Sequence, residues 1–330
     1  MTTDHIAPAA ASDRAFTALL ADIGLLGFEG PEAATFLHGQ LSSDVLALRP
    51  GDAQWSSYNS PKGRMLGTLL LWREGDESFR AAVSADLAAA LAKRLSMFVL
   101  RAKLRVSDLS ATGVRLGVGG TEGAAAVAAA LGAAPPPGHA AVIGGASVVG
   151  LPDGRLLVCA PEAAVAPVRT ALGTRAPLAP AERWHALGIA AGVARVTLAT
   201  QDAFIPQNAN WDLIGGVSFK KGCYPGQEIV ARMQYLGRLK ERLQRFTVAA
   251  PPPAPGTPLY GEAFGEQACG TVVEAVALPE GGSDLLAVVQ WAALESEALK
   301  LGAPEGPALA RAALPYAVPA PEAPNRPRLS

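Results

Sequence analysis

The pattern of apolar and polar positions divides the chain into short strands and amphipathic helices. Gln54 to Tyr58 and Arg64 to Trp72 carry the aromatic and branched residues of strands, joined by the turn-forming run Asn59-Ser60-Pro61-Lys62-Gly63. Phe79 to Val83 predicts a third strand. Ser84 then caps a helix whose Leu87, Leu91, Leu95 and Phe98 recur on one face, and Leu104 to Leu109 returns as a strand. Ahead of these, Gly30-Pro31 precedes a helix carrying Phe36 and Leu37.

A second unit repeats a similar order. It reads strand Val114 to Val118, alanine-rich helix Glu122 to Leu131, strand Ser147 to Gly150, turn Pro152-Asp153-Gly154, strand Leu156 to Cys159 and helix Glu162 to Leu172. That alternation predicts a ferredoxin-like α+β unit. Pro180 to Arg195 reads as a further helix and strand. Beyond Leu243, Pro251-Pro252-Pro253 and Pro255-Gly256 predict a linker. Gly270 to Ala277 and Leu285 to Trp291, with Glu280-Gly281-Gly282 between them, predict a small β-barrel. Gly302 to Ser330 is rich in proline and alanine, which predicts partial disorder.

Composition narrows the function classes. The 330 residues suit two or three domains, and half of them are hydrophobic. A net charge of -1 and a pI near 6.4 give no global nucleic-acid footprint, so no direct nucleic-acid binding is expected and any anion site is local. The three cysteines, at 159, 223 and 269, argue against a disulfide framework and for a reducing cytoplasm. They are too few to ligate an ordinary four-thiolate iron–sulfur cluster. The start, MTTDHIAPAAASDR, lacks the basic and apolar regions of a secretion signal, and Ala124 to Ala134 is too short to span a bilayer. The expectation is a cytoplasmic monomer with no membrane partner. Loops of the G-x-x-x-x-G-K-[ST] type, H-E-x-x-H pairs and G-x-S-x-G elbows are absent from the sequence, which demotes ATP, zinc and serine-hydrolase chemistry. His38, His139 and His185 show no metal-ligand spacing and read as structural or surface residues.

The candidate chemistry lies in Lys220-Lys221-Gly222-Cys223-Tyr224-Pro225-Gly226-Gln227-Glu228. Two ammonium groups favour a thiolate at Cys223, and Pro225-Gly226 suits the centre of a type II turn. Ile229, Val230, Met233 and Leu236 recur at helical spacing, so Gln227 to Leu236 reads as a short helix ended by Gly237, with Cys223 just upstream of its N-terminus. Taken alone, Cys223 reads first as a buried or incidental thiol, and Lys221 either as a solvated turn residue or as a clamp for a thiolate or another anionic group. Gln227 and Glu228 either favour the helix start or hydrogen-bond the cysteine loop. Seven basic residues between Lys220 and Arg245 face two acidic ones, mostly as polar surface, and Arg232 is the candidate for a carboxylate contact.

The string KGCYPGQE resembles the K-G-C-(aromatic)-x-G-Q-E signature of the YgfZ-type folate-binding proteins, relatives of the glycine-cleavage T-protein and of a mitochondrial iron–sulfur assembly factor. Phe204-Ile205-Pro206-Gln207, Gly215-Gly216-Val217-Ser218-Phe219, and a block from Phe36-Leu37-His38-Gly39-Gln40 through Asp44 to Pro61-Lys62-Gly63-Arg64 are also similar to that family. Together these blocks cover about a third of the chain.

The resemblance implies an α+β, T-protein-like three-lobed ring around a central folate pocket. Residues 14–110 and 180–245 would form a discontinuous first domain, 111–179 an inserted ferredoxin-like unit, and 246–330 a β-barrel domain with its tail. It also implies tetrahydrofolate, or another reduced folate, as ligand, and iron–sulfur client enzymes or assembly proteins as partners, radical tRNA-modifying enzymes among them. Cys223 would be the working thiol in the pocket and Lys221 its helper, supported by Gly222, Tyr224, Gly226, Gln227 and Glu228. Arg232, Lys62 and Arg64 would contact folate. In the T-protein the strand after the corresponding turn carries an acidic residue that assists aminomethyl transfer. Here Met65 to Leu71 holds no carboxylate, so the glycine-cleavage reaction is not expected. The alternative is an enzyme moving a one-carbon unit between folate and another substrate.

Overall fold

Strand and helix lengths follow from which faces are covered. The computed structural model describes residues 14–235, 237–295 and 298–320. Met1 to Asp13 of the N-terminal reading, Leu236 of the short helix and Pro321 to Ser330 of the tail lie outside the described residues. The first part runs β1 (Phe16–Leu19), β2 (Ile23–Glu29), α1 (Ala33–Gln40), β3 (Ala53–Asn59), β4 (Met65–Arg73), β5 (Ser78–Ser84), α2 (Ala85–Met97) and β6 (Arg105–Asp108). The middle part runs β7 (Gly113–Gly119), α3 (Gly123–Leu131), β8 (His139–Ile143), β9 (Ala146–Gly150), β10 (Leu156–Pro161), α4 (Glu162–Gly173), β11 (Leu178–Ala179) and α5 (Ala181–Ala190). The last part runs α6 (Gln227–Tyr235), β12 (Glu241–Val248), β13 (Pro258–Gly261), β14 (Ala268–Ala277), β15 (Ser283–Gln290), α7 (Trp291–Leu294), β16 (Leu299–Leu301) and β17 (Leu309–Ala312).

Three sheets result. One has the order β3-β4-β5-β2-β6, and its strand β4 is buried nearly throughout, which explains the unbroken apolar run there. Leu87, Leu91 and Leu95 of α2 are buried, whereas Phe98 is 47% exposed because the helix ends at Met97; the apolar stripe stops one turn earlier than the spacing predicts.

The middle sheet has the order β11-β1-β7-β10-β9-β8, so the N-terminal strand β1 pairs with β7 and, in parallel, with β11. Helices α3 and α4 cover one face, packing on Leu116, Val118, Val148 and Val158. The opposite face, with Val149, Leu151 and Leu157, joins the core of the first sheet.

The third sheet, β16-β13-β14-β15-β12-β17, is a curled half-barrel whose edges approach at the Lys300–Ala308 bridge. The tail is ordered further than its composition predicts, because β17 pairs with β12 and Tyr316 Oη donates to Gly192 O (2.6 Å). The strand expected before Arg195 does not form. After α5 the chain runs without ladder pairing, and side-chain ion pairs fix Arg195 instead. Among the described residues no helix is long and apolar enough to cross a membrane.

Candidate functional site

The cysteine loop is built by two turns pressed together. Gln227 N–H donates to Tyr224 O (3.1 Å) and Gly226 has φ +77°, the type II geometry expected of Pro225-Gly226. Opposite it, Gly63 N–H donates to Ser60 O (2.9 Å) in the turn between β3 and β4. Gly226 must lack a side chain for a second reason besides φ, since a Cβ there would stand 2.4 Å from Ser60 O. Gly237 N–H donates to Arg232 O (2.8 Å) and closes α6 as expected. The flanking blocks hold the arrangement. Gln207 Nε2 donates to Val230 O (2.7 Å), Ser42 Oγ donates to Gly216 O (2.6 Å), and Ser218 N–H donates to Ser42 O (2.9 Å).

Cys223 is exposed on this loop and Tyr224 beside it is buried. The other two cysteines are buried. Burial pushes the Cys159 thiol up to about 12 and raises that of Cys269. Lys221 turns its ammonium to the C-terminal end of α1, donating to Leu41 O (2.5 Å) and His38 O, with Nζ 4.8 Å from the Tyr224 ring centre. Those carbonyls form the negative end of the helix and attract a cation. Partial burial pulls the Lys221 pKa down to about 8, with Asp44 and Cys223 acting in the opposite direction.

His38 joins the same cluster, a neighbour that sequence reasoning set aside. Its Nδ1 lies 3.3 Å from Asp44 Oδ1, and a Cβ on Gly222 would stand 3.6 Å from its Nε2, so the ring faces the cysteine loop. Burial, with Lys221 in the same direction and Asp44 opposing, lowers the His38 pKa. No spacing rule links residues 38, 44 and 222; only the docking of α1 on the loop does.

The remaining expected residues sit around this hub. Gln227 is half-buried, while Gly222, Glu228, Arg232 and Lys62 are exposed. Arg64 braces the 200–204 segment through the carbonyls of Ala203 and, at 3.5 Å, Asp202. Ser60 Oγ donates to Asp202 Oδ1 (2.8 Å) in the same brace. Of the basic run, Arg242 and Arg245 are buried pairs with Asp212 (2.6 Å) and Asp284 (2.7 Å), while Lys220, Arg232, Arg238 and Lys240 are exposed.

A separate cavity of about 70 Å³ lies where the three sheets converge, lined by Trp55, Thr68, Trp184, Arg195, Trp211 and Glu274 among others. Cys223, Lys221, Lys62, Arg64 and Arg232 are not in its lining. Trp55 and Trp211 meet edge to face with centroids 5.8 Å apart, and the Arg155 guanidinium, paired with Asp153 (2.7 Å), lies 4.1 Å above Trp184.

One ionic network crosses the sheets at this cavity. Arg195 bonds Asp22 (2.5 Å) and Glu274 (3.2 Å), and His185 Nε2 lies 3.0 Å from Asp22. Burial works to raise the Asp22 pKa, but the His185 hydrogen bond and the Arg195 charge win and hold it well below the usual carboxylate range. Burial likewise opposes the charge of Arg195, and Glu274 and Asp22 outweigh it. Trp211 Nε1 and Arg195 Nε are buried with no acceptor among the described residues. Glu274 comes from β14, more than 200 residues beyond β4, so the missing carboxylate of Met65 to Leu71 did not foretell a cavity without one.

No family model matches the chain. It is 31% identical over 281 residues to the tRNA-modifying protein YgfZ of Cronobacter sakazakii, covering 83% of this chain and 84% of that one. It is also 31% identical over 269 residues to the protein of the same name in Escherichia coli O157:H7, covering 79% and 81%. The chain belongs to the YgfZ family. Among solved structures, the glycine cleavage system aminomethyltransferase T from Bartonella henselae superposes with a TM-score of 0.75 at 18% identity, over 92% of this chain and 87% of that one. This YgfZ-family chain therefore has the T-protein fold, as its signature implied.

Proposed function

We propose that this YgfZ-family protein is a tetrahydrofolate-binding accessory factor for the synthesis or repair of iron–sulfur clusters in client enzymes of the cytoplasm, including radical enzymes that modify tRNA. The observation that carries the reading is Cys223, exposed on a loop that the Gly63–Gly226 contact and the Lys221 bonds hold in one shape. An accessible thiol on a preorganised loop suits transfer or protection chemistry on a partner, whereas the two buried thiols do not. The names of the curated relatives support a link to tRNA modification, and the T-protein fold supports a folate site.

The cavity residues suit such a ligand. Three indoles line the cavity, the N–H donors of Trp211 and Arg195 have no acceptor among the described residues, and Glu274 provides a carboxylate. Trp211 and Arg195 would offer their N–H groups to ring acceptors, and Glu274 would accept from ring donors. A reduced folate bound there would supply a one-carbon carrier; Trp55 and Trp184 would exclude water around it.

Glu274 is also the observation that keeps the enzyme reading alive, as a carboxylate inside the cavity. Arg195 lies 3.2 Å from it and His185 Nδ1 3.6 Å away, an ion-paired setting that suits it to binding more than to proton transfer. The deciding experiment compares client iron–sulfur enzyme activities in a deletion strain carrying the parent or the Cys223→Ser variant, beside turnover assays with methylene- and formyl-tetrahydrofolate. Loss of client clusters without turnover supports the accessory role. Robust turnover with intact clients overturns it.

A further inference from the structure

The middle sheet changes character at one end of the face turned away from α3 and α4. Ladder register aligns Val142, Ser147, Cys159 and Arg115 across β8, β9, β10 and β7, and residues in register share a face. Glu74, just past β4, and Arg80 of β5 join them, and together these residues line a cleft of about 220 Å³. It shares no lining residue with the tryptophan-walled cavity.

Four arginines are buried among the described residues: Arg115, Arg155, Arg242 and Arg245. Three have a carboxylate partner, respectively Asp153, Asp212 and Asp284 for Arg155, Arg242 and Arg245. Arg115, only 9% exposed, enters no ion pair among the described residues. Its Nε donates to Ile23 O (2.8 Å), and its Nη1 donates to Ser110 O (2.6 Å) and Gly113 O (2.8 Å). Nη2 has no acceptor among the described residues.

Carbonyl dipoles alone leave a buried guanidinium without charge compensation, a costly state. Glu74 does not relieve it. One carboxylate oxygen accepts from Ser147 and the other lies 3.2 Å from Arg80, which also pairs with Glu29 outside the cleft. Arg80 is thus matched by two carboxylates, and Arg115 is the cation of this lining that has no carboxylate partner among the described residues. The Cys159 thiol, pushed up to about 12 by burial, adds no negative charge.

We propose that this cleft binds a small oxyanion, a phosphate or carboxylate group, on the free edge of Arg115. The N–H groups left on Nη2 can donate to such a group, and its negative charge supplies the missing counter-charge. The site is distinct from the Cys223 loop and does not depend on the folate reading.

The test uses the full chain at constant ionic strength, with inorganic phosphate and acetate each titrated against chloride while the melting temperature and binding heat are followed. A saturable rise with phosphate or with acetate supports the site, and whichever anion acts identifies its chemistry. Arg115→Gln should abolish the effect. Because that change also loosens the carbonyl contacts, Val142→Glu serves as the second variant. Val142 is 61% exposed on edge strand β8 at the cleft, so Val142→Glu should fold as the parent does in chloride yet bind at least tenfold more weakly. Phosphate and acetate acting no differently from chloride would overturn the proposal, as would parental affinity in Val142→Glu.

Discussion

Gly63 and Gly226 meet backbone to backbone: a Cβ added to Gly226 would stand 2.5 Å from Gly63 Cα. This contact joins two sequence blocks more than 160 residues apart, and the cysteine loop depends on it. Gly226→Ala meets both a left-handed φ of +77° and a backbone collision. The expected loss is about 2–4 kcal/mol, summing the left-handed penalty and overpacking. Urea denaturation measures it, and an unchanged midpoint refutes the account of the loop.

Thiol labelling should separate the cysteines. Iodoacetamide modifies Cys223 in the native protein, while buried Cys159 and Cys269 react only after unfolding. Peptide mass analysis after a short pulse distinguishes them; native labelling of Cys159 at a comparable rate contradicts the burial described. Cys223→Ser should retain the parent's melting temperature while client-cluster function falls sharply.

Lys221 should titrate near pH 8, well below the exposed lysines at about 10.4. Nuclear magnetic resonance of reductively methylated lysines reads this midpoint directly. For a lysine whose folded pKa is depressed, the unfolded chain holds the proton more tightly, so this group's contribution to stability rises as pH climbs from about 8 towards 10.4. Relative to Lys221→Met, the parent should therefore gain stability across that window. A parent–variant difference that falls with pH reverses the sign and rules out burial as the cause.

Calorimetry with tetrahydrofolate tests the cavity. Trp211→Phe keeps a ring but removes one orphaned donor, a loss of about 1–1.5 kcal/mol or roughly tenfold in affinity. Arg232, exposed on α6, lies outside the cavity lining, so Arg232→Ala should leave affinity within about twofold if the ring sits among the tryptophans. Strong weakening by Arg232→Ala with no effect of Trp211→Phe would move the site to α6, where the basic residues of the sequence first suggested it.

Much of the fold was legible because the responsible signals are local. The type II turn at Pro225-Gly226, the α2 stripe and the β3–β4 turn each rest on a few adjacent residues, and all three are present. Strands β1, β8 and β13 escaped notice because they are only four or five residues long, and β1 in addition takes its pairing from residues beyond 110. The candidate site divides in the same way. Cys223 and its glycines announce themselves in one octapeptide, whereas His38, Asp22, His185 and Glu274 acquire meaning only when α1, α5 and β14 are brought together. Ion pairs between elements leave no periodic trace in a single sequence.

The placement of aromatic residues has an optical consequence. Three of the five tryptophans, Trp55, Trp184 and Trp211, wall the central cavity. Indole emission shifts with the polarity and stacking of its surroundings, and most of the chain's tryptophans line this one cavity. Any molecule entering there is reported by the native protein without a label, and the colour of its ultraviolet emission becomes a direct gauge of whether that space is wet, dry or filled.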